Sequence, residues 1–213
     1  IHMKNLILIT QGSQAISLVR TLFGLGYKPN QLIVYTTKDN KNICFQEFLK
    51  YYNIDYSFKI DMNKICKGDI VISYSNMHRL DINNKAIFIN FHPGILPNYK
   101  GSLSTVYSLA NGENKVGGTW HYMSDKIDCG NILYEFIINI EDSDTAFSLN
   151  HKIFDAATNC LDIVLNKIKI NDGGIQQTSK GKFYYNKFPD ISNLDKNMQN
   201  RINYFPPEYI NGI

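Results

Sequence analysis

Lys85-Ala86-Ile87-Phe88-Ile89-Asn90-Phe91-His92-Pro93-Gly94-Ile95-Leu96-Pro97 is the stretch on which the reading of this chain turns. Its apolar first half fits a central strand, and residues two apart on a strand share a face, so Asn90 and His92 point the same way. Pro93 forbids helical continuation and keeps His92 extended, while Gly94 and Pro97 turn the chain away. The imidazole is therefore expected at the carboxyl end of a strand, where open α/β sheets bind ligands. Downstream, Asp128-Cys129-Gly130 offers a carboxylate on a turn. An amide, an imidazole and a carboxylate in one place suit acyl transfer. The amide donates to a tetrahedral oxyanion, the imidazole carries a proton near neutral pH, and the carboxylate orients the imidazole or relays the proton through water. Taken singly, each has an ordinary structural role open to it, Asn90 and Asp128 in turns and His92 as a satisfied histidine. Their order and spacing together favour a site.

Around this stretch the chain alternates strands and helices. Strands are expected at Leu6–Ile9, Gln31–Tyr35, Asp69–Ser73, Gly117–Met123 and Ile132–Ile140, with helices at Gln14–Leu25, Phe45–Tyr52 and Leu103–Ala110. Such alternation predicts a three-layer α/β fold, a mostly parallel sheet with helices on both faces. Asp128 falls on the loop between the last two strands. Ser143–Asn166 reads as one long helix whose acidic start suits the helix dipole, with Asp144 a helix-start residue rather than a catalytic one. Ile175–Thr178 and Lys182–Tyr185, around Ser179-Lys180-Gly181, read as a C-terminal β-hairpin followed by a short tail. Ile1-His2-Met3 reads as an expression scar, residues 4–172 as the catalytic domain, and residues 173–213 as a hairpin and tail packed on it.

With 213 residues the chain has room for one substantial α/β domain. A net charge of +3 with 19% charged residues gives no electrostatic case for nucleic acid or an anionic membrane. Cys44, Cys66, Cys129 and Cys160 show no C-x-x-C spacing, so neither a metal site nor a disulfide framework is expected, and reduced thiols in a cytoplasm fit. No apolar run reaches the ~20 residues of a membrane span.

Asn90, His92, Pro93, Leu96 and Pro97, followed by Asp128 and Gly130, resemble the motifs of the formyltransferases that use N10-formyltetrahydrofolate. The resemblance runs from Ile87 to Leu133, with Tyr99-Lys100-Gly101 and the Gly118–Met123 strand in order between its anchors, and weakens toward both ends. In length and tail the chain looks most like bacterial sugar N-formyltransferases acting on dTDP-4-amino-4,6-dideoxyglucose. The resemblance implies a Rossmann-like formyltransferase sheet, catalysis by Asn90, His92 and Asp128, a nucleotide-sugar substrate, a homodimer, and a place in O-antigen or other surface polysaccharide synthesis. It implies the formylated folate as cosubstrate and no metal. By the same resemblance the stretch Ser73 to Arg79, with Ser73, Tyr74, Ser75, Met77 and Arg79, would give backbone groups to the pterin, closed on the other side by Ser124, Asp125 and Ile127.

For the nucleotide sugar, aromatic faces and cations are wanted. Tyr99, Lys100, Gly101, Lys182, Tyr184, Tyr185 and Phe205 are the candidates, the tail aromatics alternatively packing the hairpin or joining subunits and Lys100 alternatively lying on the solvated surface. His78 and His121 read as structural or edge residues and His151 as a helix-surface residue. The first strand turn, Thr10-Gln11-Gly12-Ser13-Gln14, lacks Gly-x-Gly-x-x-Gly, which disfavours a nicotinamide or flavin. The glycinamide ribonucleotide formyltransferases resemble this chain but carry a Gly-rich phosphate loop there, so purine-pathway transfer is the rival activity. A noncatalytic nucleotide-binding module is the rival of another class.

Overall fold

A computed structural model describes residues 5–39, 42–76, 80, 82, 85–185 and 187–204. Its strands are β1 (Leu6–Thr10), β2 (Leu32–Tyr35), β3 (Asp55–Ser57), β4 (Ile70–Tyr74), β5 (Ile87–His92), β6 (Lys100–Gly101), β7 (Lys115–Tyr122), β8 (Ile132–Asn139) and β9 (Phe183–Tyr184). The helices are α1 (Gln14–Gly24), α2 (Ile43–Tyr51), α3 (Ser104–Ala110), α4 (Ala146–Asn159), α5 (Leu161–Lys169) and α6 (Lys196–Asn203). Seven strands form one sheet in the order β3-β2-β1-β4-β5-β7-β8. The pairs from β3 to β5 are parallel, whereas β7 runs antiparallel to β5 and β8 to β7.

Strand periodicity splits the core in two. Leu6, Leu8, Ile70, Ile72, Tyr74, Ile89 and Phe91 face a large cluster shared with helices α1, α2, α3, α4, α5 and α6. Ile7, Ile9, Val71 and Phe88 face the other side, where Ile60, Met62, Ile65, Leu80 and Ile82 cover them. That second layer includes a short 3-10 helix, Met62–Lys64. On the helix-covered face the rings of Phe91 and Trp120 lie 5.1 Å apart and those of Tyr74 and Phe154 5.2 Å apart. Their polar ends are satisfied: Trp120 Nε1 donates to the Ala157 carbonyl at 3.1 Å and the Tyr74 hydroxyl to the Phe154 carbonyl at 2.9 Å. Buried aromatics with paired polar tips give α4 a fixed seat under β4, β5 and β7.

Two expectations are corrected. The long helix over Ser143–Asn166 is broken at Cys160, whose backbone (φ −105°, ψ 7°) leaves the helical region between α4 and α5. Thr158 Oγ1 bonds back to the Asp155 carbonyl at 2.8 Å, the side-chain competition that makes Thr and Asn poor helix-interior residues. The expected C-terminal hairpin does not form either. Ile175 instead bridges Ile132, and β9 pairs in parallel with β6. The segment's hydrogen bonds go to two older parts of the chain rather than to each other. Beyond it, α6 docks on the same body: Ile202 is fully buried, and Arg201 donates to the carbonyls of Asp144 and Glu141 at 2.6 and 2.9 Å. Asp144 sits just before the N-cap Thr145 of α4 and binds Lys152, a structural position as expected. Among the described residues no helix is long and apolar enough to cross a membrane.

Candidate active site

Sheet register brings the site together. Asn90 lies opposite His121, and His92 opposite Thr119, in the antiparallel β5–β7 pair, while Ser73 is the parallel partner of Asn90 on β4. Directly opposed residues share a face, so Asn90, His92, Thr119 and His121 all project from the face of Phe88, away from the aromatic cluster. Thr119 is fully buried and pins the bend after His92: its hydroxyl donates to the Gly94 carbonyl at 2.7 Å and accepts the Leu96 N–H at 3.2 Å.

Asp128 enters from the β7–β8 loop and stands between two imidazoles. One carboxylate oxygen is 3.5 Å from His92 Nδ1, the other 3.6 Å from His121 Nε2. The Gly101 N–H donates to the first of these oxygens at 2.8 Å. Gly130 follows because a Cβ there would fall 1.7 Å from the Tyr122 carbonyl oxygen, and any side chain would push the loop off β7. His121 Nδ1 donates to the Tyr122 carbonyl at 2.8 Å, and its Nε2, 3.2 Å from Asn90 Nδ2 and 3.6 Å from an Asp128 oxygen, accepts from Asn90 when the ring is neutral and donates to Asp128 when it is protonated. That contact orients the Asn90 amide and leaves its second N–H for another acceptor. His92 Nε2 bonds the Tyr99 carbonyl while Nδ1 faces Asp128. Only the doubly protonated imidazole satisfies both acceptors.

Opposing effects poise this group. Burial holds the His92 imidazole below its ordinary pKa, against the upward pull of Asp128 and the Tyr99 carbonyl, with His121 adding to the downward push. For Asp128 burial alone would raise the pKa. The hydrogen bond from His121, the charges of both histidines and the Gly101 N–H outweigh it and keep the carboxyl below its usual value. The site therefore holds an ionised carboxylate beside an imidazole that burial favours in its neutral, proton-accepting form.

The other expected residues divide. Ser73 is buried beside Asn90, and Asn76 Nδ2 lies 3.4 Å from its hydroxyl. The Tyr74 side chain lies in the core, on the far face of the sheet. Ser75 ends the strand in a left-handed conformation, φ 53°. Ser124, Asp125 and Ile127 form an exposed rim above buried Asp128. Met77, His78, Arg79 and Phe205 lie outside the described residues. Lys100 is not solvated surface: it is buried, with Nζ donating to Cys129 Sγ at 3.3 Å and the Lys180 carbonyl at 3.1 Å. Tyr184 is buried and stacks on Tyr99 at 5.3 Å, Lys182 Nζ lies 4.8 Å from its ring centre, and Tyr185 is exposed. His121 was expected to be structural, yet it touches Asn90 and Asp128. A polar residue two positions from Thr119 in an apolar strand was the available signal, and only the antiparallel register gives it meaning. A cavity of about 90 Å³, lined by Thr10, Gln11, Tyr35, Thr36, Phe58 and Asn76 among others, opens at the carboxyl ends of β1 and β2.

Asn90, His92, His121 and Asp128 lie within the match of residues 80–165 to the formyl transferase family. Over that stretch the chain is similar to the formyl transferase family. It is 29% identical over 209 residues to the GDP-perosamine N-formyltransferase of Brucella melitensis, covering 89% of this chain and 80% of the relative. An N-formyltransferase from Helicobacter canadensis, solved in complex with folinic acid and dTDP-3-aminofucose, superposes with a TM-score of 0.82 at 21% identity, covering 97% of this chain and 82% of that one. A 4-N formyltransferase from Francisella tularensis gives 0.76 at 22% identity, covering 97% and 90%. The seven-stranded sheet is thus a fold shared with these proteins.

Proposed function

We propose that this protein moves a formyl group from N10-formyltetrahydrofolate to the amine of a nucleotide-linked amino-dideoxy sugar, with dTDP-4-amino-4,6-dideoxy-D-glucose the first acceptor to test, in the synthesis of surface polysaccharide. The observation that carries the reading is the convergence of the Asn90 amide, the His92 imidazole and the Asp128 carboxylate at one strand end. The sugar N-formyltransferases among its relatives support the acceptor class, and the folinic acid bound to the Helicobacter protein supports the donor.

In this mechanism the neutral sugar amine attacks the formyl carbon held on N10 of the folate. The carbonyl oxygen becomes an oxyanion, which accepts the Asn90 N–H left over from the His121 contact. The new C–N bond leaves a proton on the sugar nitrogen. His92 takes it at Nδ1, relayed by the Asp128 carboxylate, because Nε2 is held by the Tyr99 carbonyl, and that carboxylate stabilises the imidazolium that forms. Collapse of the tetrahedral centre breaks the bond to N10, and the proton passes to the departing folate nitrogen. The cavity at the ends of β1 and β2, one residue removed from Asn90 through Asn76 and Ser73, gives an elongated substrate further room.

The test incubates the protein with the formyl donor and a panel of amines, weighing products for a formyl gain. The panel holds dTDP-4-amino-4,6-dideoxyglucose, dTDP-3-aminofucose, GDP-perosamine and glycinamide ribonucleotide. Formylation of a nucleotide sugar alone is expected. Formylation of glycinamide ribonucleotide alone would overturn the acceptor class, and nucleotide binding without turnover of any amine would favour the noncatalytic module.

A further inference from the structure

Asp128 adopts a left-handed backbone conformation, φ 54°, which few residues other than glycine take up without support. That backbone aims the carboxylate. Its support comes from the C-terminal segment, about fifty residues further on. The Gln177 side-chain nitrogen donates to the Asp128 carbonyl at 3.0 Å and to the Gly130 carbonyl at 2.8 Å. Both hydrogens of the amide nitrogen are used. Turning the amide over would set its oxygen against two carbonyl oxygens, so the orientation is fixed. Gln177 Oε1 is buried without a partner among the described residues, a cost that a side chain chosen only for packing would not carry.

The segment that presents Gln177 is anchored on both sides. Ile175 and Ile132 exchange both backbone hydrogen bonds at 2.8 Å. On the other side the Lys180 carbonyl accepts Lys100 Nζ at 3.1 Å and the Lys182 carbonyl accepts the Lys100 N–H at 3.0 Å. The neighbouring residue, Gly101, gives its N–H to the Asp128 carboxylate. Backbone and carboxylate of Asp128 are thus gripped by two elements that are tied to each other.

We propose that Gln177 is a positioning residue for catalysis: by clasping the Asp128 and Gly130 carbonyls it sets where the Asp128 carboxylate stands between His92 and His121. This rests on the reading of Asp128 as the partner of the proton carrier. Without the clasp the loop below the exposed Ser124–Ile127 rim can relax, and a misplacement of ~1 Å can cost ~10²-fold in rate.

The test compares the parent with Gln177→Met, which keeps length and loses both donors, and Gln177→Glu, whose ionised oxygens face two carbonyls. Turnover should fall about 10- to 100-fold in each, with KM for both substrates within about twofold, because the Gln177 amide is spent on two backbone carbonyls. Nitrogen NMR titration of His92 and His121 without substrates gives the second readout. The groups facing His92 are Asp128 and His121, so a displaced carboxylate should move the His92 midpoint to lower pH. If Gln177→Met melts below the assay temperature, Gln177→Asn, one methylene shorter, carries the same comparison. Parent-like turnover together with a parent-like histidine titration would overturn the proposal. Should the parent formylate no amine, the titration alone decides: a shifted midpoint upholds the clasp and an unchanged one refutes it, whatever the acceptor.

Discussion

Asp128→Asn separates charge from shape at the centre of the site. The Asn oxygen can still accept the Gly101 N–H, which lies 2.8 Å from the carboxylate, so the loop keeps that anchor. What disappears is the negative charge 3.5 Å from His92 Nδ1. In an effective dielectric of about 20, unit charges at that distance attract by about 5 kcal/mol. If the imidazole carries about half a charge when the proton is in transfer, the loss is about 2–3 kcal/mol, or roughly 30- to 150-fold in turnover. KM should stay within about twofold, since the Asp128 carboxylate is engaged by His92, His121 and the Gly101 N–H. The pH profile adds a signed test. Burial already lowers the His92 pKa and Asp128 opposes it, so removing the carboxylate should carry the acid limb of kcat/KM to lower pH. Initial rates of product formation across a pH series read both effects. Turnover within about threefold of the parent, or an acid limb displaced upward, would refute the proton-carrier role of the His92–Asp128 pair.

Asn90→Ala removes the oxyanion donor and should lower kcat by ~10²–10³ while leaving the melting temperature near the parent's; a loss under about tenfold would place the oxyanion elsewhere. Gly101→Ala puts a Cβ 2.0 Å from the Tyr184 carbonyl at a φ of +90°, so it should lower Tm and impair turnover together, read by thermal melts beside rates. Stability should also depend on pH through the site. Because His92 has a folded pKa below its ordinary 6.5, the fold binds fewer protons than the unfolded chain as pH falls past that value. Its stabilisation is therefore present above about 6.5 and lost on acidification, so urea midpoints between about pH 7 and 5 should fall more steeply for the parent than for His92→Gln.

The parallel half of the sheet was legible because its strands are continuous apolar runs between helical periodicities, and burial on both faces leaves such runs few alternatives. Asn90, His92 and Asp128 were legible for a related reason: each interrupts an apolar or turn pattern at a place where a polar side chain needs an explanation. The break at Cys160 was harder to see, because Thr158 and Asn159 lower helix propensity by only tenths of a kcal/mol each, well within what tertiary packing overrides. The segments Ile175–Thr178 and Lys182–Tyr185 misled for the opposite reason. Local spacing around Ser179-Lys180-Gly181 fits a hairpin, but the partners that take those backbone groups, Ile132 and Lys100–Gly101, lie more than forty residues away in sequence.

That rerouting separates the residues that can be read locally from those that cannot. Asn90 and His92 share one strand, so period two alone joins them. His121 comes to the site only through the antiparallel register that sets it opposite Asn90, and Gln177 only through a bridge to β8. A hairpin would have satisfied the C-terminal segment internally and left the Asp128 and Gly130 carbonyls without Gln177. Pairing it with β6 and Ile132 instead spends the same backbone groups on the two elements that hold the carboxylate. The supporting shell is thus the part of the site that depends on long-range pairing, and substitutions that loosen the Ile175 bridge or the Gln177 contacts should affect turnover through Asp128.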